Sequence, residues 1–173
     1  MDEKKLSEKM KREAVRLGLC RQWTDEWDSC SDRDSLVEKF VRGLDFCIEH
    51  DWPSVREMKL HFGGVMHRHG VWADENVRCR NSPVVVLNGE CVADLLYDGK
   101  SAGDVYVRHE SECRIKVRGL ARVFVSVYDN GSLNVDCEEG TRCFVYLHGG
   151  GIGVIRGDAS CVTVRDRRKE AGE

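Results

Sequence analysis

Val123-Phe124-Val125-Ser126-Val127-Tyr128-Asp129-Asn130-Gly131-Ser132-Leu133-Asn134-Val135-Asp136-Cys137 alternates apolar and polar residues, breaks at a turn, and alternates again. The unit is ten residues long and recurs from Ser82 to about Val164. One column of the repeat is Val85, Leu95, Val105, Ile115, Val125, Val135, Val145 and Ile155; another, two places on, is Leu87, Tyr97, Val107, Val117, Val127, Cys137 and Leu147. Before them stand Cys113, Val123, Leu133 and Cys143, preceded by a column of small residues, Cys91, Ser101, Ser111, Ala121, Gly131, Thr141 and Gly151. Alternation with a period of two marks a strand with one buried face. Turn chemistry recurs at the same interval, in Asn88-Gly89, Asp98-Gly99, Arg118-Gly119, Asp129-Asn130-Gly131 and His148-Gly149-Gly150-Gly151.

Two folds use strand-turn units of this kind, a meander that reverses and a solenoid that winds one way. A two-residue hairpin pairs the residues flanking it, so the inward set would switch between odd and even numbers at every turn. Here odd positions stay apolar from Val85 to Leu147. Three-residue hairpin loops would also keep parity, but they place glycine last, whereas Gly89 and Gly99 sit in the middle. The expected fold class is α+β: an N-terminal helical region followed by a short single-chain β-solenoid of decapeptide repeats, with about 20 residues per coil. The alternative is a β-meander barrel.

The outward positions change character with a period of two decads. One set carries Val84 and Val86, Asp104 and Tyr106, Phe124 and Ser126, Phe144 and Tyr146, then Val164; the other carries Asp94 and Leu96, Arg114 and Lys116, Asn134 and Asp136, then Arg156. That is the pattern of about four coils with two opposed walls, one aromatic outside and one charged. An aromatic outer wall is normally covered by something. Tyr106, Phe124, Phe144 and Tyr146 are therefore the candidate interface, covered by the chain's own helices, a partner or a second copy. After His148 the apolar positions move to even numbers (Val154, Val162, Val164), which predicts a bulge or a loosened last coil.

Ahead of the repeats the period changes to that of helices. Leu6, Met10, Ala14 and Leu17 stripe a helix over 3–17, stopped by Gly18. Trp23 and Trp27 share a face of a second, Arg21 to Asp28. Ser31-Asp32 caps a third from Arg33 to Glu49, and Ser54, after Pro53, starts a fourth with Val55, Met58 and Phe62, interrupted by Gly63-Gly64 before Val65 to His69. Val71-Trp72-Ala73 and Val77-Arg78-Cys79 around Asp74-Glu75-Asn76 read as a small hairpin. The expected organisation is a helical head with a hairpin over 1–81, a solenoid over 82–165 and a charged, disordered tail over 166–173. The helices and hairpin are expected to cap the first coil, and Asp166-Arg167-Arg168-Lys169 to blunt the last.

Composition narrows the function classes. With 41% hydrophobic and 33% charged residues, the 173-residue chain is globular, and a net charge of -3 disfavours a protein whose affinity rests on neutralising phosphates. A charged start, Met1-Asp2-Glu3-Lys4-Lys5, with no membrane-spanning run, leads us to expect a cytoplasmic protein with no membrane partner. Four of the nine cysteines, Cys91, Cys113, Cys137 and Cys143, fall on inward columns, and no Cys-x-x-Cys occurs, so neither disulfides nor a thiolate metal site is expected.

Other constellations have plainer readings. The outline from Pro53 to Val71 is that of a winged helix-turn-helix with Arg68 as base reader, but the segment is short and not basic. His61, His67 and His69, near His50, are poorly spaced for a metal, since His67 and His69 diverge on a helix. Glu138-Glu139 is a solvated corner, Asp98, Asp129 and Asp158 fit turns, and Gly149 to Gly151 lacks the following helix of a phosphate cradle. No acidic ladder of the kind that polysaccharide-cleaving β-helices carry follows Asp94, because Arg114 and Asn134 come next on its wall. No catalytic residue, cofactor or metal is expected.

Two resemblances follow from longer matches. The run from Gly43 to Ser54, with His69-Gly70-Val71, Leu87-Asn88-Gly89, Gly103-Asp104-Val105-Tyr106-Val107-Arg108-His109 and Ala121-Arg122-Val123-Phe124-Val125, resembles an uncharacterised family encoded by gut bacteria and their mobile elements, which implies no activity. Gly103 to Val164 resembles the valine-rich repeats of bactofilins, cytoskeletal proteins that stack end to end; the helical head and charged last segment depart from them, and no residue role transfers. The expected function is a non-enzymatic protein-interaction or assembly module whose partner is a protein or another copy. A carbohydrate-binding or carbohydrate-active module with a glycan partner is the alternative, and a nucleic-acid regulator, with nucleic acid disfavoured, the second.

Overall fold

The computed structural model describes residues 1–168. The chain divides into two compact units, Met1–His69 and a second that begins at Gly70.

The first unit is helical: α1 (Glu3–Arg16), α2 (Arg21–Asp25), α3 (Arg33–Arg42), α4 (Leu44–Glu49) and α5 (Val55–Phe62). Both expected caps form as boxes: Asp32 accepts from the Ser35 amide at 2.8 Å, and Ser54 and Glu57 bond reciprocally at 3.3 and 3.1 Å. The long helix expected from Arg33 to Glu49 is instead broken at Gly43, whose φ of -102° and ψ of 30° leave the helical region. Glycine is a weak helix former, and a Cβ there would press on the Lys39 carbonyl oxygen at 3.3 Å. The second expected helix likewise tightens into a 3-10 turn over Glu26–Ser29. Leu6, Met10, Ala14, Trp27, Leu36 and Phe40 are buried in this unit. Lys39 lies over the rings of Trp23 and Trp27, 4.7 and 5.3 Å from their centroids.

The second unit is the solenoid. One wall holds β1 (Val71–Ala73), β3 (Val84–Asn88), β5 (Ala102–Val107), β7 (Arg122–Val127), β9 (Arg142–Leu147) and β11 (Val162–Asp166); the other holds β2 (Asn76–Arg80), β4 (Val92–Tyr97), β6 (Glu112–Val117), β8 (Ser132–Cys137) and β10 (Gly151–Gly157). Strands within a wall are parallel, and through the middle coils the register is twenty residues, as in Val105 to Val125 to Val145. The barrel alternative is thereby overturned, since a meander would pair successive strands antiparallel. Inward side chains from both walls meet in a stack in which Val85, Val107, Val123, Val125, Val127, Leu133 and Val145 are fully buried.

The corners explain the column of small residues. Ser101, Ser111, Ala121, Gly131 and Thr141 each donate a backbone N–H to the carbonyl three residues earlier, closing a tight turn between walls. Ser101 and Thr141 add side-chain bonds of 2.7 Å to the same carbonyls. Most of these turns require a left-handed residue, filled by Gly99, Gly119, His109 and Asp129.

Two expectations are corrected here. Val71–Ala73 and Asn76–Arg80 do not form a hairpin: β1 pairs with β3 and β2 with β4, all parallel, so they are the first coil and Asp74-Glu75 is its corner. The short strands flanked by a turn carry no signal of their own that separates a hairpin from a coil, because the bonding partners come later in the chain. Val164, expected outward, aligns with inward Val145. The register between β8 and β10 slips to nineteen at Ile152, a bulge at Gly153 restores twenty, and β11 again lies nineteen residues beyond β9. At this end Ile155 and Val164, on inward positions, are 38% and 42% exposed, so the charged segment does not cover them within the described residues. Asp166 belongs to β11; residues 169–173 of the expected disordered tail lie outside the described residues.

Candidate functional site

Parallel pairing in register places like positions of successive coils side by side, so the outer face of the odd-numbered wall is a set of columns. Reading along the coil axis, one column is Ala102, Arg122 and Arg142; the next is Asp104, Phe124, Phe144 and Thr163; the third is Tyr106, Ser126, Tyr146 and Arg165. Phe124 and Phe144 stack, with centroids 5.0 Å apart and planes 14° from parallel. Strand spacing alone, about 4.8 Å, accounts for that distance. Tyr146 follows Phe144 on the same strand, and the Arg167 guanidinium sits 5.6 Å from the Tyr146 ring. Tyr128 and His148 continue the pattern past the strand ends, stacked at 4.5 Å and 4°.

Of the four candidate interface residues, the structure brings Phe124, Phe144 and Tyr146 together, all half-buried. Tyr106 stands apart from Tyr146, because Ser126 occupies the coil between them.

Charge is segregated between the walls. On the outer face of β7, β9 and β11 no strand position holds a carboxylate, while Arg122, Arg142 and Arg165 lie there exposed, with exposed Arg167 just beyond. None of the four makes an ion pair with a described residue; Arg168, by contrast, pairs with Asp166. The even-numbered wall pairs Arg114 with Asp94 at 3.6 Å along a column, and the corners just past it pair Arg118 with Glu138 at 3.5 Å. These arginines were not among the expected site residues. Their signal was present in the twenty-residue interval between Arg122 and Arg142, but Arg165 is placed outward only by the slip to nineteen.

A second feature missed in the sequence lies beneath the corner after β5. Arg108 is buried, and its Nη1 donates to Asn88 Oδ1 at 2.8 Å, one coil earlier. Arginine just after a strand reads as solvated, and only the corner's inward turn shows otherwise.

The remaining polar groups have structural duties. The Asp98 carboxylate accepts from Asn81 at 2.7 Å and Arg80 at 2.5 Å, Asp129 accepts from the His109 amide at 2.9 Å, and Asp158 accepts from the Ser160 amide at 3.0 Å. The amides of Gly149 and Gly151 are taken by carbonyls of the coil below, Val127 and Gly131, each at 3.1 Å. Met66–His69 is a 3-10 turn in which Arg68 and His69 face Asp34 at 3.6 and 3.1 Å, and the hairpin expected as a wing is the first coil. Among the described residues no three histidine, cysteine or acidic side chains are grouped to hold a metal ion. Burial raises the pKa of the Cys91 and Cys113 thiols, and the hydrogen bond between Cys143 and Cys137 raises the first and lowers the second. No helix among the described residues is long and apolar enough to cross a membrane.

Comparison with protein-family models, curated proteins and solved structures finds no match. The helical head and β-solenoid stand on the structure itself.

Proposed function

We propose that the chain is a non-enzymatic protein-interaction module whose contact surface is the outer face of the odd-numbered wall. The observation that carries this is the half-buried aromatic stripe of Phe124, Phe144 and Tyr146, bordered by arginines that have no acidic partner among the described residues. Aromatic rings and arginine are the side chains enriched at protein interfaces, and their clustering on a flat, regular scaffold supports that use. The test compares proteins captured by immobilised wild type and by a Phe144→Ser, Tyr146→Ser variant of unchanged circular dichroism. A bound protein that disappears with the two rings is expected; identical bound sets would remove this reading.

A second reading, self-association, is favoured by the C-terminal end, where Ile155 and Val164 are exposed and β10 and β11 are edge strands of their walls. The bactofilin-like repeats from Gly103 to Val164 agree with it, although the helical head does not. Light scattering over a concentration series decides it: mass should rise with concentration and fall back in Val164→Asp. A constant monomer mass would exclude it.

A further inference from the structure

Arginines without an acidic partner among the described residues break a local rule. Like charges directly opposite each other on adjacent strands repel, and sheets usually interleave opposite charges. The even-numbered wall does so, with Asp94 in register beside Arg114 and Lys116 beside Asp136. On β7, β9 and β11 the odd-numbered wall sets Arg122 against Arg142 in register and places Arg165 beside Tyr146, with no carboxylate at an outward position of those three strands; Asp104, on neighbouring β5 beside Phe124, makes no ion pair with Arg122. A chain with a net charge of -3 has acidic residues in excess, so the acid-free face is not a by-product of composition.

The rings narrow the partner further. Phe124 and Phe144 lie face to face, so the faces turned to each other are covered and the shared outer boundary of the pair is ring edge. An aromatic edge carries partial positive charge, in the same sense as the guanidinium groups beside it. Carboxylates suit both, forming bidentate pairs with arginine and contacts with ring edges. Stacked nucleobases need free ring faces, and a long polyanion would also meet the net negative charge of the rest of the chain.

Taking the wall as the contact surface proposed above, we infer that its partner is an acidic polypeptide segment, laid across the outer face of β7, β9 and β11. The arginines flank the aromatic stripe on both sides, Arg122 and Arg142 on one, Arg165 and Arg167 on the other. Three strands wide and four outward positions long, the face measures roughly 10 by 20 Å. An extended peptide of about six residues spans its length.

Fluorescence polarisation with a labelled decapeptide of alternating glutamate and leucine tests this on the full chain. Binding is expected, weakening at least several-fold between about 50 and 200 mM salt, because the pairs are exposed to screening. Arg142→Glu should lower affinity about tenfold and Arg122→Glu with Arg142→Glu further, while the double variant gains affinity for the lysine-leucine decapeptide. Arg142→Glu places glutamate beside Arg122, so it is expected to fold; an unchanged melting curve verifies this. Absence of binding, indifference to charge reversal, or tighter binding of ten-nucleotide oligo-dT or a polyuronate than of the acidic peptide would each overturn the inference. If the acidic peptide fails while the Phe144→Ser, Tyr146→Ser variant still loses a captured protein, the module reading survives and only the acidic partner is wrong.

Discussion

The buried Arg108 shows how much one side chain can depend on a residue twenty places away. Its guanidinium is 1% exposed and shares a 2.8 Å bond with Asn88, itself fully buried and also donating to the Trp72 carbonyl at 3.0 Å. Asn88→Ala should destabilise the protein by about 1–3 kcal/mol, because a buried charge loses an acceptor that water cannot replace. Urea denaturation with an unchanged slope checks it. Asp98 offers a residue-scale test in pH. Its hydrogen bonds to Asn81 and then Arg80 lower its pKa in the folded state. A depressed folded pKa means the contribution is fully present above the unfolded aspartate value of about 3.9 and is lost as pH falls through the folded value. Carbon NMR titration should find Asp98 ionised at a pH where a peptide aspartate is half protonated, and Asn81→Ala should move it back up. Neither network is legible in the sequence, since asparagine and aspartate before glycine read equally well as plain turns.

At the scale of the element, one coil is a strand, a corner, a strand and a corner, and a tight point inside a strand lies at Gly103. A Cβ there would fall 2.4 Å from the Tyr97 ring and 2.8 Å from the Ser82 carbonyl, to which Tyr97 also donates at 2.8 Å. Gly103→Ala should cost about 1–3 kcal/mol by overpacking. In a double-mutant cycle Tyr97→Leu should recover part of that loss, and simple additivity of the two changes would refute the contact. The decad pattern made each of these strands readable from Val84 to Leu147, because the inward positions there are apolar and the corners have their turn residues. It failed for β1 and β2, where three-residue and five-residue strands are too short to show a period. The expected length of α3 fails for a related reason: Gly43 sits inside an apolar stripe that continues past it, so the period alone does not mark the break.

Across the whole solenoid, stability should be graded along the axis, since each coil contacts only its neighbours. Val125 is fully buried between coils, whereas Val164 occupies the same inward phase at an end and is 42% exposed. Val125→Ala should therefore cost about 1–2.5 kcal/mol and Val164→Ala a small fraction of that. Amide exchange should be slowest in β5 to β8 and fastest in β10 and β11, whose edges have no further strand. Equal protection along the axis would contradict a nearest-neighbour solenoid.

The sequence alone determined the winding, the two walls and the occupants of their inner faces as far as Leu147. Those follow from a period of two within strands and ten between them, and local sterics enforce both. Tertiary structure alone decided where the winding starts, how far Ile155 and Val164 of the last coil are exposed, and which outward charges have partners. These are properties of register between strands twenty residues apart, and a single slip to nineteen after β9 is enough to turn Arg165 toward Tyr146 and Val164 toward the core. The proposed acidic contact depends on that slip as much as on the arginines themselves.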